Sequence, residues 1–266
     1  MISLAYLYED ATQPPERSSG PVNWLAILAI GAAVGFLGGL FGKGGSAIAT
    51  PLLHLAGVPA IVAVAAPLPA TIPSTLAATL AYWREELVDN EVLRWSVAVG
   101  VPATAIGAFL TRWISGGVLV HVTDVVVAGL GIRFLVWPNE HERSYGRPER
   151  YRLRLASVAA VVGVASGLLA NSGGFLLAPL YLTVLRMPIK ASFATSLAVA
   201  AVLAVPGTVV HWALGHIDWD VVLVFGAASI PLSYVGARVA LWSNPARLER
   251  IYGAVLAVLG LGLLFA

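Results

Sequence analysis

Apolar residues along this chain gather in long runs, not in the alternation of half-buried strands. They occupy 22–42, 61–83, 93–113, 117–137, 153–170, 189–213, 219–242 and 247–265. Each approaches the ~20 residues that a helix needs to cross a ~30 Å hydrocarbon core. The pattern predicts an all-α polytopic membrane bundle of about eight hydrophobic segments. The eight tryptophans, at 24, 83, 95, 113, 137, 212, 219 and 242, stand near the ends of these runs, as interfacial belts require. One run ends oddly. "GGLFGKGGSAIATPLLHL", residues 38–55, puts five glycines, a lysine and a proline where a helix should continue.

Composition agrees with the pattern. Hydrophobic residues make up 58% and charged residues 11% of the 266, with mean hydropathy +0.83, where soluble domains carry roughly 25% charged residues. The formal charge is +2. Its arginines sit beside the spans with no basic arm or nucleic-acid motif, so no nucleic-acid partner is expected. The absence of cysteine excludes disulfides, thiol chemistry and Cys-based metal sites, and no cofactor or metal is expected. Residues 1–21 have neither the basic nor the apolar region of a signal peptide and are expected to be a mobile N-terminal tail.

The chain repeats itself. A shift of 128 lays Gly35 on Gly163, Gly39 on Gly167, Gly45 on Gly173 and Pro51 on Pro179; a shift of 129 lays Trp83 on Trp212, Asp89 on Asp218, Pro102 on Pro231 and Gly107 on Gly236. This divides the chain into a first membrane repeat, 22–137, a cytoplasmic linker, 138–152, and a second repeat, 153–266. Transporters built this way place their site between the halves.

Direction can be argued from length and charge. Residues 45–57 and 174–186 are thirteen each. At 1.5 Å per residue they rise about 20 Å, too little to cross, so each is expected to re-enter as a half-helix. Each half then makes three crossings and the second is upside down. This inverted arrangement puts Arg84, Arg94, the five arginines of 143–154, Arg186, Lys190, Arg247 and Arg250 inside, eleven basic residues against two, where full crossings give eight against five. The positive-inside rule favours the former. Both termini are then expected outside the cytoplasmic membrane, a prokaryotic one.

In lipid, a broken helix survives only where its freed backbone groups are buried in protein or line a polar cavity. The breaks are therefore the candidate site. Arms starting near Gly44 and Gly173 offer unpaired N–H groups and positive dipole ends, and glycine admits an anion close to the backbone. Lys43, Gly44, Gly45 and Ser46 on one side, with Asn171, Ser172, Gly173 and Gly174 on the other, would hold a small oxyanion. Close helix packing is the plainer reading of the glycines, but it needs neither a lysine beside them nor a repeated proline downstream; snorkelling to the interface is the plainer reading of Lys43.

"GKGGSAIATPLL", its echo "NSGGFLLAPLYL", then "ASFATSLAVA", "HWALGHIDWD" and "GAASIPLSYVGARVA" resemble the sulfite exporter TauE/SafE family over nearly all of 22–266. The resemblance implies a multi-pass permease for sulfite, organosulfonates or related sulfur oxyanions, acting as an exporter. Lys43 and Ser46 depart from a plainer glycine run, and Thr195 and Ser196 become Ala66 and Pro67 in the first half.

Other polar residues at membrane depth are candidates for the pathway. Thr71, Thr75 and Thr79 share one helix face at spacing four, and Thr195 and Ser196 decorate the equivalent helix. Such hydroxyls more often bond the backbone or glue helices. His54 and His211 could carry a coupling proton; sodium is the other coupling ion considered. The alternatives are a transporter or channel for another anion such as a carboxylate, or a membrane-embedded lipid-processing enzyme. An enzyme would need acidic, Ser/His or metal-ligand clusters at the breaks, and neither break has an Asp, Glu or His beside its glycines. The oligomeric state is not encoded legibly.

Overall fold

A computed structural model describes residues 22–42, 46–110, 149–168 and 174–264, with residues 129, 132 and 136. The described residues form helices and connecting turns: α1 (Trp24–Phe41), α2 (Ser46–Leu55), α3 (Ala60–Ala65), α4 (Pro67–Trp83), α5 (Asn90–Leu110), α6 (Tyr151–Leu168), α7 (Gly174–Thr183), α8 (Ile189–Ala213), α9 (Trp219–Trp242) and α10 (Pro245–Leu264). Among the described residues, five spans are long and apolar enough to cross a membrane: Trp24–Phe41, Ile61–Trp83, Tyr151–Leu168, Ile189–Ala213 and Trp219–Trp242. Two more apolar runs correspond to α5 and α10, and the run 117–137 falls almost wholly outside the described residues. Trp24, Trp83, Trp95, Trp212, Trp219 and Trp242 are all exposed, as belts at the bilayer surface should be.

Short side chains start several helices. Asn23 Oδ1 accepts from Ala26 N–H at 3.0 Å to open α1. Asp89 Oδ1 accepts from Glu91 and Val92 at 2.9 and 3.0 Å at the start of α5; Asp218 Oδ1 does the same with Asp220 and Val221 at 3.0 and 3.3 Å at the start of α9. The two aspartates are the pair that the repeat superposed, and each satisfies amides that have no partner within their helix.

Helices from the two halves interlock. Helix α1 packs most extensively on α9, and α6 on α5. Gly31, Gly35 and Gly39 meet Phe225, Ser229 and Ser233 in ascending order, so α1 and α9 run parallel. At the other seam Arg152 pairs with Glu91 at 3.6 Å, Gly163 faces Gly100 and Gly107 faces Val164, again parallel. Helix α4 joins the first pair through Ala70 beside Gly226 and Ser74 against Ser229. Helix α8 joins the second through Thr195, which accepts from Asp89 N–H at 3.0 Å, and Leu203, beside Gly100. Between the triplets, α4 and α8 run oppositely: Leu68 lies at Gly207, while Thr75 and Leu197 border one cavity. The core forms two clusters, the larger including Tyr82, Tyr181, Phe193 and Tyr252, the smaller Ile27, Leu53 and Phe225.

The short arms turn back. Asn23 N–H donates to Ala56 O at 3.4 Å, so the chain after α2 lies beside the start of α1. In the second half both Arg152, at the start of α6, and Tyr181, near the end of α7, contact the first turns of α5, through Glu91 and through Ser96 at 2.7 Å.

Candidate functional site

Helix α1 ends at Gly42, whose φ of 66° is left-handed and whose N–H returns to Gly38 O. Glycine adopts this conformation without the Cβ penalty that other residues carry. The end is not loose. Tyr82 O–H donates to Gly39 O at 3.1 Å and Ser196 O–H donates to Gly42 O at 2.7 Å. Hydroxyls from α4 and α8 thus pair with carbonyls at a helix end, which would otherwise be unsatisfied in an apolar interior. A side chain at Gly42 would strike the backbone of Phe193.

Lys43, Gly44, Gly45, Asn171, Ser172 and Gly173 lie outside the described residues. Their flanks are informative: Ser46 and Gly174 begin the ten-residue helices α2 and α7, so a helix N-terminus follows each glycine run.

Thr71 and Thr75 border a cavity at the last turns of α1, shared with Gly35, Gly38 and Gly39 and with Ser74, Ser229 and Ser233. The centre of a water molecule can range over about 20 Å³ of it, room for one or two waters. Its hydroxyls are largely committed. Thr71 donates to Pro67 O at 2.8 Å, Thr75 to Thr71 O at 2.7 Å and Ser233 to Ser74 O at 2.6 Å. Ser74 and Ser229 bond each other at 2.9 Å, which leaves one O–H of the five for anything else. In this conformation the cavity suits water, while an oxyanion needs more donors and more space. Thr79, one turn further along the stripe, has a buried hydroxyl with no hydrogen-bond partner.

Thr195 and Ser196, which precede Leu197 of the cavity lining, are fully buried and tied to Asp89 N–H and Gly42 O. The structure therefore brings Thr71 and Thr75 together, and Ser196 to the first break, but not all four to one place. His54 is exposed at the end of α2, its Nδ1 3.2 Å from Val58 O. His211 is half-buried and its Nδ1 lies 3.2 Å from Nδ1 of His216, a pairing that separation by five residues across a helix end did not suggest. Ser229 and Ser233 were missed as well. Their spacing of four on a glycine-flanked helix was the available signal.

Membrane-length helices among the described residues, the first ending at Gly42 before a short returning arm, make a polytopic helical membrane protein. The sulfite exporter TauE/SafE family model matches residues 27–263, and the chain belongs to this family. Over 238 residues it is 26% identical to a "Probable membrane transporter protein" of Xylella fastidiosa (strain 9a5c), covering 85% of this chain and 88% of that one. It is 24% identical over 254 residues to "Probable membrane transporter protein YjnA" of Bacillus subtilis (strain 168), covering 90% and 99%. The similarity to YunE of the same organism is 23% over 242 residues, covering 82% and 87%. No solved structure matches the chain. The family and these relatives are transporters, not enzymes.

Proposed function

We propose that this protein is a secondary transporter that exports small sulfur oxyanions, sulfite or organosulfonates, across a prokaryotic cytoplasmic membrane by alternating access. The observation that carries the reading is the buried break: α1 ends inside the bundle at Gly42, clamped by α4 and α8, and a new helix starts at Ser46. The anion is held between the two breaks by Lys43, the amides of Gly44, Gly45 and Ser46, and the donors of Asn171, Ser172, Gly173 and Gly174. A proton or sodium gradient drives it. Thr71, Thr75, Thr195 and Ser196 serve the moving helices.

The halves form an inverted repeat in this reading, with both termini outside. Support comes from the directions of the helices: α1, α4 and α9 run one way, while their counterparts α6, α8 and α5 run the other. The returning arms agree, since arms that re-enter leave three crossings per half. With no native cysteine, Val88→Cys and Tyr145→Cys should be shielded from an impermeant thiol reagent in whole cells while His216→Cys is labelled; labelling of both Val88→Cys and His216→Cys refutes the inversion.

Substrate is tested by a thermal-shift screen and proteoliposome flux with sulfite, thiosulfate, an organosulfonate and a small carboxylate. A ligand at 100 times its dissociation constant adds about 2.7 kcal/mol. A response to the carboxylate alone overturns the sulfur oxyanion.

A further inference from the structure

Among the described residues, Glu249 is the one acidic or basic side chain that is buried, at 5% exposure. It lies in α10, about 6 Å along the helix from Pro245. Arg247 and Arg250 on either side are exposed, while Leu248, Glu249 and Tyr252 face inward. A charged carboxylate withdrawn from water is costly, and in membrane proteins such groups mark proton relays and substrate pathways.

What this face touches is the first break. The Tyr252 ring, one turn after Glu249, lies 5.5 Å from the Phe41 ring and 5.0 Å from the Phe193 ring. Phe41 is the last residue of α1, immediately before Gly42. Phe193 precedes by three residues the Ser196 that clamps the Gly42 carbonyl, and it accepts from Ser196 at 2.9 Å. An aromatic cluster thus joins the buried carboxylate to the end of α1.

We infer that Glu249 is a proton-coupling carboxylate of the transport cycle, which takes a proton from water to become the neutral acid in one state and returns it in another. This deepens the transport reading and rests on it. A proton fits better than a metal cation. A dehydrated cation needs several oxygen ligands, whereas Leu248 and Tyr252, the buried residues beside Glu249 on this helix, bring an aliphatic chain and a single phenol. The carboxylate is engaged in this conformation, so a change in its charge is transmitted to its surroundings. Titratable neighbours are few among the described residues of the elements packed here. Helix α1 carries none, and α8 carries Lys190, whose Nζ donates to Leu241 O at 2.6 Å, and His211 at its far end. Helix α10 adds the exposed Arg247 and Arg250. Lys43 follows Phe41 by two residues in the chain.

The test uses the full chain in liposomes, as parent, Glu249→Gln and Glu249→Asp. Infrared difference spectra recorded across a pH step report the C=O stretch of a buried carboxylic acid without any cargo; the parent band should vanish in Glu249→Gln and return shifted in Glu249→Asp. Flux of an organosulfonate, whose sulfonate charge is fixed at these pH values, should persist in Glu249→Gln but lose its pH dependence, up to about tenfold per pH unit for one coupled proton. Identical infrared spectra for parent and Glu249→Gln, or an unchanged pH profile of flux, overturn the proposal. A parent that moves no organosulfonate counts against the organosulfonate reading, and the spectra still decide Glu249. If neither variant is monodisperse, the carboxylate is an anchor and the proposal falls.

Discussion

At the seam between α1 and α9, Gly35 and Gly39 lie against Ser229 and Ser233, whereas at the seam between α6 and α5 the counterparts of Gly35 and Ser229 are Gly163 and Gly100, and Ser233 is matched by Thr104. Both seams let backbones touch, and in both a glycine opposes a backbone carbonyl. They differ in polar equipment. Ser233 reaches across to Ser74 O and Ser229 to Ser74 Oγ, so α9 is linked to α4. Thr104 turns back to Gly100 O of its own helix at 2.8 Å. The cavity lies at the first seam, which leads into the break that carries Lys43. One backbone plan thus serves a polar seam and a plainer seam, and close packing alone does not explain the hydroxyls.

The largest expected effects test what the seams share. A side chain at Gly107 collides with Val164 O, and one at Gly236 with Phe36 O. Gly107→Val and Gly236→Val should each cost ~3 kcal/mol or more, the upper range of overpacking, and abolish monodisperse protein in detergent. Survival of one alone would mean that the seams are not equivalent.

Next come the breaks, where the halves should differ. Lys43→Glu sets like charge against the anion and should weaken binding at least ~100-fold, about 2.7 kcal/mol. Asn171→Ala removes a neutral donor and should cost roughly tenfold or less, a net ~1 kcal/mol. Calorimetric titration with the identified substrate reads both, and equal losses would erase the asymmetry.

The hydroxyls give smaller effects. Ser233→Ala removes a bond between helices and should lower stability by about 1 kcal/mol, while Thr104→Val, which loses a bond within one helix, should change it by less. Thermal unfolding in one detergent compares them, and the reverse order would deny Ser233 its linking role. Asp89→Ala and Asp218→Ala should each cost about 1 kcal/mol as helix caps, the same in both halves. Smallest of all is Thr79→Val. Removing a buried hydroxyl that has no partner should leave stability unchanged or slightly raised, and a clear loss of stability would show that the hydroxyl has found a partner.

Much of this was legible in the residues. Run lengths and tryptophan placement gave the spans, because crossing hydrocarbon sets a minimum length and amphipathic rings settle at its border. The internal match laid Asp89 on Asp218, and both side chains cap the helix that follows them. The glycine run marked where α1 stops, since the left-handed turn at Gly42 and its close backbone contact both exclude a Cβ.

Tertiary structure alone decided how the halves interlock. Nothing in the sequence of α1 says that it leaves its own half to lie against α9, because a small-residue face fits any partner that brings a backbone close. Only the folded chain shows that Ser196 holds the Gly42 carbonyl, that Ser74 meets Ser229 across 155 positions and that His211 meets His216. It also shows that the inward neighbour of two exposed arginines is Glu249. Periodicity assigns a residue to a face of a helix, and what that face meets depends on packing between elements far apart in the chain.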